Sequence, residues 1–203
     1  MTNKISVIVF DLGNVLIPFD YNKIINDLNL ISEGLGNKFY NLYKNNYEIH
    51  RKYEKWEISN DDFINTMLDW LEGKVEREEF CRLYSNIFTV NPGTTSLLPK
   101  LKENYKLVLL SNTNYIHQKY GWEKYEFLRH FNKLILSHEV GAVKPEPKIY
   151  KAVEDFTKAV PGAHLFIDDI PEYVQGAKEM GWDAIHFTDY DNLVSELKVR
   201  SVL

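Results

Sequence analysis

Two short apolar runs, far apart in the chain, each end in carboxylate, and this constrains the fold more than any other feature. The first, Ile5-Ser6-Val7-Ile8-Val9-Phe10, leads into Asp11-Leu12-Gly13-Asn14, and the second, HLFIDD, leads into Asp168-Asp169. Both runs are too short for helices. They are also too continuously apolar for strands with one wet face, so they read as strands buried on both faces of a parallel sheet. If the two strands lie side by side, their acids meet at one edge. Such a cluster repels itself unless a divalent cation neutralises it.

Further apolar runs at residues 107–110, 134–136 and 184–187 have the same character. Segments with helical periodicity separate them: Leu97-Leu98, Leu101 and Lys102 after Pro92-Gly93; Ile149-Tyr150, Val153 and Phe156 after Lys144-Pro145; Val174, Ala177 and Met180 before Gly181; and Leu193, Leu197 and Val199 near the end. Alternation of this kind predicts an α/β fold with a doubly wound parallel sheet. Residues 18–88 break the pattern. They contain no convincing strand and are dense in Tyr, Asn and Lys, and Ser59-Asn60-Asp61-Asp62 reads as a capping box ahead of Phe63, Met67, Trp70 and Leu71. The expected organisation is a core domain of residues 1–17 and 89–203 with a small helical cap domain, 18–88, inserted after the first strand. The Asn91-Pro92-Gly93 breaker marks the return to the core. An insertion there sits over the carboxyl ends of the strands, where open α/β sheets bind ligands. The cap aromatics Tyr40, Tyr43, Tyr47, Tyr53 and Trp56 read mostly as the subdomain's own core, and His50, His117 and His138 as surface or packing residues.

The chain has 203 residues and a net charge of −5, with no long basic run. This argues against nucleic acid and against an anionic membrane surface as partners. The first apolar stretch is too short to span a bilayer, is interrupted by Asp11, and lacks a signal-peptide cleavage pattern. The single cysteine, Cys81, permits no intramolecular disulfide and no cysteine-based metal site; a reducing cytoplasm is the expected location. Oligomeric state is not legible.

Four places carry candidate chemistry. Asp11 ends a strand two residues before Gly13, whose backbone can approach a ligand closely; a carboxylate there can attack phosphorus, or simply cap the next turn. Asp168 and Asp169 either form a turn ahead of Pro171 or supply oxygen ligands for Mg²⁺, which would let a phosphate dianion sit beside Asp11. Ser111-Asn112-Thr113-Asn114 follows a strand. It can cap a helix or grip a phosphoryl oxygen with the Ser111 hydroxyl and the Asn112 backbone N–H. Lys144, held before Pro145 at what reads as a helix start, would bring a cation to the same edge to balance Asp11 and the bound phosphate.

Taken together, VIVFDLGNVL, LLSN, KPEPKIY and LFIDD resemble, in order and spacing, the four motifs of the haloacid dehalogenase (HAD) superfamily, and the inserted helices occupy the position of that family's helical cap. Within it, DLGNV and LSNTN are closest to bacterial phosphatases of the alpha-D-glucose-1-phosphate phosphatase subgroup. The resemblance implies an Asp11 nucleophile, Mg²⁺ held by Asp11, the Gly13 carbonyl and Asp169 with Asp168 behind it, and a phosphoryl group bound by Ser111 and Asn112 with Lys144 as orienting cation. It implies hydrolysis of a small phosphorylated metabolite, such as a hexose 1-phosphate, through an aspartyl phosphate. The chain departs from the pattern at Gly13, where most family phosphatases carry an acid that serves as general acid and base. Losing that group costs roughly two to four powers of ten in rate. Asp20 is a possible replacement, though its ordinary reading is a helix cap. The alternatives are a metal-free 2-haloacid dehalogenase, against which the twin acids count, and a binding protein that keeps the fold without turnover.

Overall fold

The computed structural model describes residues 4–203. The first strand, β1 (Val7–Phe10), is followed by five helices: α1 (Asn22–Ile31), α2 (Leu35–Asn45), α3 (Tyr47–Glu54), α4 (Asn60–Trp70) and α5 (Arg77–Ser85). The chain then runs through α6 (Pro92–Thr95), α7 (Leu98–Lys102), β2 (Lys106–Ser111), β3 (Lys133–Leu136), α8 (Ser137–Val140), α9 (Pro147–Thr157), β4 (His164–Asp168), α10 (Pro171–Glu179), β5 (Asp183–His186) and α11 (Tyr190–Val199). All five expected strands form, in one parallel sheet of order β3-β2-β1-β4-β5.

Period-two alternation explains why these runs are apolar throughout. Ile8 and Phe10 of β1, Leu107 and Leu109 of β2, and Leu165 and Ile167 of β4 pack on one face with α7 and α11. Val7, Val9, Val108, Leu110 and Phe166 pack on the other with α9 and α10. The sheet therefore has helices on both faces, as a doubly wound fold requires.

The helices α1–α5 form a cap with a separate apolar cluster, built on Ile24, Leu28, Phe39, Phe63, Met67 and Phe80. Its connection to the core is paired backbone: Phe19 bridges antiparallel to Phe88, Asp20 N–H donates to the Ile87 carbonyl at 3.0 Å, and Thr89 N–H to the Pro18 carbonyl at 2.9 Å. Helix α4 starts as the capping box dictates, Asp62 N–H donating to Ser59 Oγ at 3.1 Å. Asp20 is engaged at the start of α1, where its Oδ1 accepts from Asn22 N–H at 2.9 Å. Among the described residues no helix is long and apolar enough to cross a membrane.

Several local expectations change. Asn91-Pro92-Gly93 opens a one-turn helix instead of breaking one, because Asn91 caps it and Pro92 takes its first position. Helix α9 begins at Pro147 and not at Pro145. Phe156 and Val199 lie on exposed helix faces, and the buried position after Val153 is Thr157. In the cap, Tyr43 and Tyr53 are core, but Tyr47 and Trp56 are about half exposed. His50, His117 and His138 are all buried, so none of them is a surface residue.

Candidate active site

Strand register brings the acids together. Phe10 pairs with Ile167, and the ladder runs one bond further as Asp11 N–H donates to the Ile167 carbonyl at 2.9 Å. Asp11 and Asp168 therefore leave adjacent strands at the same level, with Asp169 next along the chain. The chain moves outward from β1 through β2 to β3 and then returns to β4 and β5, so β1 and β4 flank the point where strand order reverses. Open α/β sheets form their ligand crevice there.

Lys144 lies between the acids. Its Nζ donates to Asp11 Oδ1 and to Asp168 Oδ2, each at 2.6 Å, and the side chain is only 1% exposed. The rings of Tyr173 and Phe166 lie 5.1 and 5.4 Å from it. Burial works against charge on Lys144, but Asp11 and Asp168 outweigh it and hold the ammonium above its ordinary value. Asp11 has the opposite balance: burial raises its carboxyl, Lys144 pulls it back, Asp168 and Asp169 raise it again, and together they hold it at about 7. Asp169 is raised as well, by burial first, with Asn14 opposing and Asp168 adding. One ammonium does not balance three acids in so little water.

The donor set fits a hard divalent cation. Asp11, Asp168 and Asp169 each offer a carboxylate oxygen, and those oxygens lie within 4.8 Å of one another. The acids differ in freedom. Both Asp168 oxygens are engaged, Oδ2 by Lys144 and Oδ1 by the Ile170 N–H at 2.8 Å. Asp169 is half-buried and accepts one hydrogen bond from a side chain, Asn14 Nδ2 at 2.9 Å. Asn14 reaches it from a left-handed backbone conformation, φ 55°, which Asn tolerates better than most residues. The Gly13 carbonyl accepts from Val15 N–H at 2.6 Å, which leaves it a second lone pair. Among the described residues this is a cluster able to hold Mg²⁺, and when bound the ion would neutralise both the acids and an incoming phosphate.

Ser111 ends β2, buried, and its hydroxyl makes only a long 3.4 Å contact with the Asn112 carbonyl. Asn112 does something the sequence did not signal. Its Oδ1 accepts from Lys144 N–H at 2.7 Å and its Nδ2 donates to the Lys144 carbonyl at 3.1 Å. Its side chain thus clamps the lysine and leaves only its backbone for a phosphoryl oxygen. Among the described residues all the predicted site residues line one cavity of about 150 Å³ except Asp168, which lies fully buried behind Asp11 and Lys144.

The model of the haloacid dehalogenase-like hydrolases matches residues 5–181. The chain belongs to this family. It is 27% identical over 184 residues to the D-ribitol-5-phosphate phosphatase of Bacteroides thetaiotaomicron, covering 87% of this chain and 88% of the relative. It is 28% identical over 203 residues to the glyceraldehyde 3-phosphate phosphatase of Pyrococcus abyssi, with 90% and 81% covered. A HAD family enzyme of Bacteroides thetaiotaomicron, solved with magnesium and inorganic phosphate, matches at a TM-score of 0.80 and 28% identity over 93% of this chain and 98% of that one.

The cap closes this hydrolase's cavity from the other side. Arg51 and Glu54 of α3 pair at 2.9 Å, and a second Arg51 nitrogen reaches the Lys144 carbonyl at 3.4 Å. His50 Nε2 lies 3.2 Å from Glu54, and its Nδ1 lies 2.7 Å from the Tyr43 hydroxyl and 2.9 Å from that of Tyr84. Burial alone would push Glu54 up, but His50 and Arg51 outweigh it and hold its carboxyl below the ordinary range. Sequence reasoning missed this group. Its only signal is His50-Arg51 and Glu54 on successive turns of one helix, which looks the same on any solvated face.

Proposed function

We propose that this chain is a Mg²⁺-dependent phosphatase that hydrolyses a small phosphorylated metabolite through an aspartyl phosphate on Asp11. The observation that carries the reading is the three-acid cluster around Lys144 at the crevice of the sheet. Lys144 holds Asp11 Oδ1, which leaves Oδ2 to attack phosphorus as the bond to the leaving oxygen breaks. Ser111 Oγ and the Asn112 N–H bind phosphoryl oxygens. Asp169, Asp11 and the Gly13 carbonyl hold Mg²⁺, with Asp168 fixing Lys144. Water then attacks the phosphorus of the acyl phosphate, and the bond to Asp11 breaks. Inorganic phosphate leaves carrying the new oxygen, with its proton balance taken up by solvent, and Asp11 returns as carboxylate. The site contributes mainly position and charge neutralisation.

Relatives named for ribitol 5-phosphate and glyceraldehyde 3-phosphate favour a short sugar or polyol phosphate over the hexose 1-phosphate suggested by subgroup resemblance. A metal-free dehalogenase would leave three clustered acids, two of them buried, with one counter-charge, and nothing in the site favours it. The experiment is phosphate release from a panel of sugar and polyol phosphates, with Mg²⁺ and with chelator. Release is expected only with Mg²⁺, and Asp11→Asn should abolish it, by about 10⁴-fold or more, with the fold intact. Release of phosphate by Asp11→Asn at near-normal rate, or equal turnover in chelator, would refute the mechanism. No release from any substrate would leave a binding protein.

A further inference from the structure

The cap wall of the cavity carries a charged side chain that is open to solvent. Arg51 of α3 lines the cavity that holds Asp11, and its side chain is 30% exposed, against 5% for His50 and 6% for Glu54 on the same helix. Its guanidinium spans from cap to core. One terminal nitrogen donates to Glu54 Oε2 at 2.9 Å, and the other reaches the Lys144 carbonyl at 3.4 Å. The second contact is long, and that carbonyl already accepts from Asn112 Nδ2 at 3.1 Å, so it does not depend on Arg51. A guanidinium has five N–H groups, and these contacts engage two of them. Among the described residues no Arg51 nitrogen is both buried and without a partner, so Nε, which makes neither contact, is open to water.

The guanidinium is held from behind. Glu54 is buried and gives its other oxygen to His50 Nε2 at 3.2 Å, and His50 Nδ1 meets the Tyr43 and Tyr84 hydroxyls at 2.7 and 2.9 Å. Burial opposes charge on Arg51, but Glu54 leads the groups that outweigh it and keep the guanidinium charged. Burying a carboxylate is costly, and a 3.4 Å contact with a satisfied carbonyl does little to offset it; a ligand on the guanidinium would. In-line displacement sends the leaving group away from Asp11, toward the wall that the cap supplies. Arg51 is matched in charge by Glu54, so this wall offers donors without net positive charge. A second anionic group would meet no surplus cation there, and an alkyl group would strip water from the guanidinium and return no acceptor. Half-exposed Tyr47, one turn before Arg51, and Tyr173 line the same cavity. The carbon chain of a polyol can lie against such rings while its oxygens face donors. We propose that Arg51 is a specificity-determining residue that binds hydroxyl oxygens of a neutral, polyhydroxylated leaving group. Water can hold these positions first, and a hydroxyl oxygen takes its place when substrate binds. The inference deepens the phosphatase reading and rests on it.

The test compares ribitol 5-phosphate with n-pentyl phosphate, which has the same carbon chain and no free hydroxyl, and with 3-phosphoglycerate, which carries a carboxylate. Wild-type enzyme with Mg²⁺ is expected to prefer the ribitol ester to both in kcat/KM. Arg51→Met should shrink the preference over pentyl phosphate by about tenfold, the worth of one hydrogen bond, with the change in KM. Arg51→Lys keeps a cation for Glu54 but loses the planar fork, and should fall between Arg51→Met and wild type. No preference over pentyl phosphate in wild type, or one that Arg51→Met retains in full, overturns the proposal. So does a wild-type preference for 3-phosphoglycerate that Arg51→Met abolishes, since Arg51 then serves a carboxylate. A second measurement does not use the activity of those variants. In ¹⁵N-labelled Asp11→Asn protein with Mg²⁺, the Arg51 Nε–H signal, identified by its absence in Arg51→Lys, should shift with ribitol 5-phosphate and much less with pentyl phosphate. A signal unmoved by ribitol 5-phosphate, or moved equally by both esters, also overturns it. Failure of the phosphatase reading looks different: wild-type enzyme then releases no phosphate from any of these esters, and the Arg51 signal still decides the contact.

Discussion

The two walls of the cavity are built on opposite plans. The sheet edge is rich in acceptors. Three acids and the Ser111 hydroxyl converge there, with one buried ammonium among them, and backbone register sets their positions. The wall formed by the cap and by the segment after β2 is aromatic, its charges cancel in pairs, and side-chain packing sets its geometry. Register is a discrete property that tolerates substitution, whereas packing changes with every residue. On the proposed function, the chemical step belongs to the sheet edge and the choice of substrate to what covers it.

The most severe way to break the sheet-edge plan is to remove its cation. Lys144→Met leaves Asp11 and Asp168 facing each other without a counter-charge. The expected loss is about 3–5 kcal/mol of stability, read from the urea midpoint, together with phosphatase activity. Added Mg²⁺ should recover part of the stability; if the variant is as stable as wild type without metal, the acids do not depend on Lys144. Next in size is the division of labour between the twin acids. Asp169→Asn should weaken Mg²⁺ activation by on the order of 100-fold with little effect on the urea midpoint, and Asp168→Asn should do the reverse. A metal titration that ranks them the other way exchanges their roles.

The covering wall responds to acid instead. His117 and His138 are held below their ordinary values, chiefly by burial. Their contribution to stability is therefore complete above the unfolded value of 6.5 and is lost as pH falls below it. Each such histidine removes up to about 1.4 kcal/mol per pH unit below 6.5 until its folded value is reached. Urea midpoints at pH 7.5 and 5.5 test this, and His117→Phe should flatten the dependence. The mildest change joins the two walls. A Cβ on Gly13 would stand 3.4 Å from the Phe19 ring and 3.9 Å from Asp11 Oδ2, a tight but open position on an ordinary backbone. Gly13→Asp should cost under about 1 kcal/mol. It should raise turnover on alkyl phosphates, whose leaving oxygens need a proton, more than on aryl phosphates. Equal effects on both would show that leaving-group protonation does not limit this enzyme.

The same contrast explains what the sequence disclosed. Strands ending in Asp11, Ser111 and Asp168 were legible because an unbroken apolar run has few other uses, and adjacency of the first and fourth strands then fixes which acids meet. Lys144 was legible only in company: a lone lysine before proline says nothing, and its place between two carboxylates is a fact of three dimensions. The cap resisted reading, since helical periodicity in so many tyrosines does not tell which ring points inward. Tyr43 is core while Tyr47, four residues on and at the start of the next helix, is half exposed.

Asn112 imitates a peptide group. It gives an amide hydrogen and a carbonyl oxygen to Lys144 as a neighbouring strand would, adding one rung to the sheet where no strand continues. The lysine main chain is thereby anchored through uncharged bonds that do not involve its ammonium. Framework and reactivity are held by separate interactions. In the proposed mechanism, that separation would let the ammonium exchange Asp11 for a phosphoryl oxygen while its backbone stays where it is.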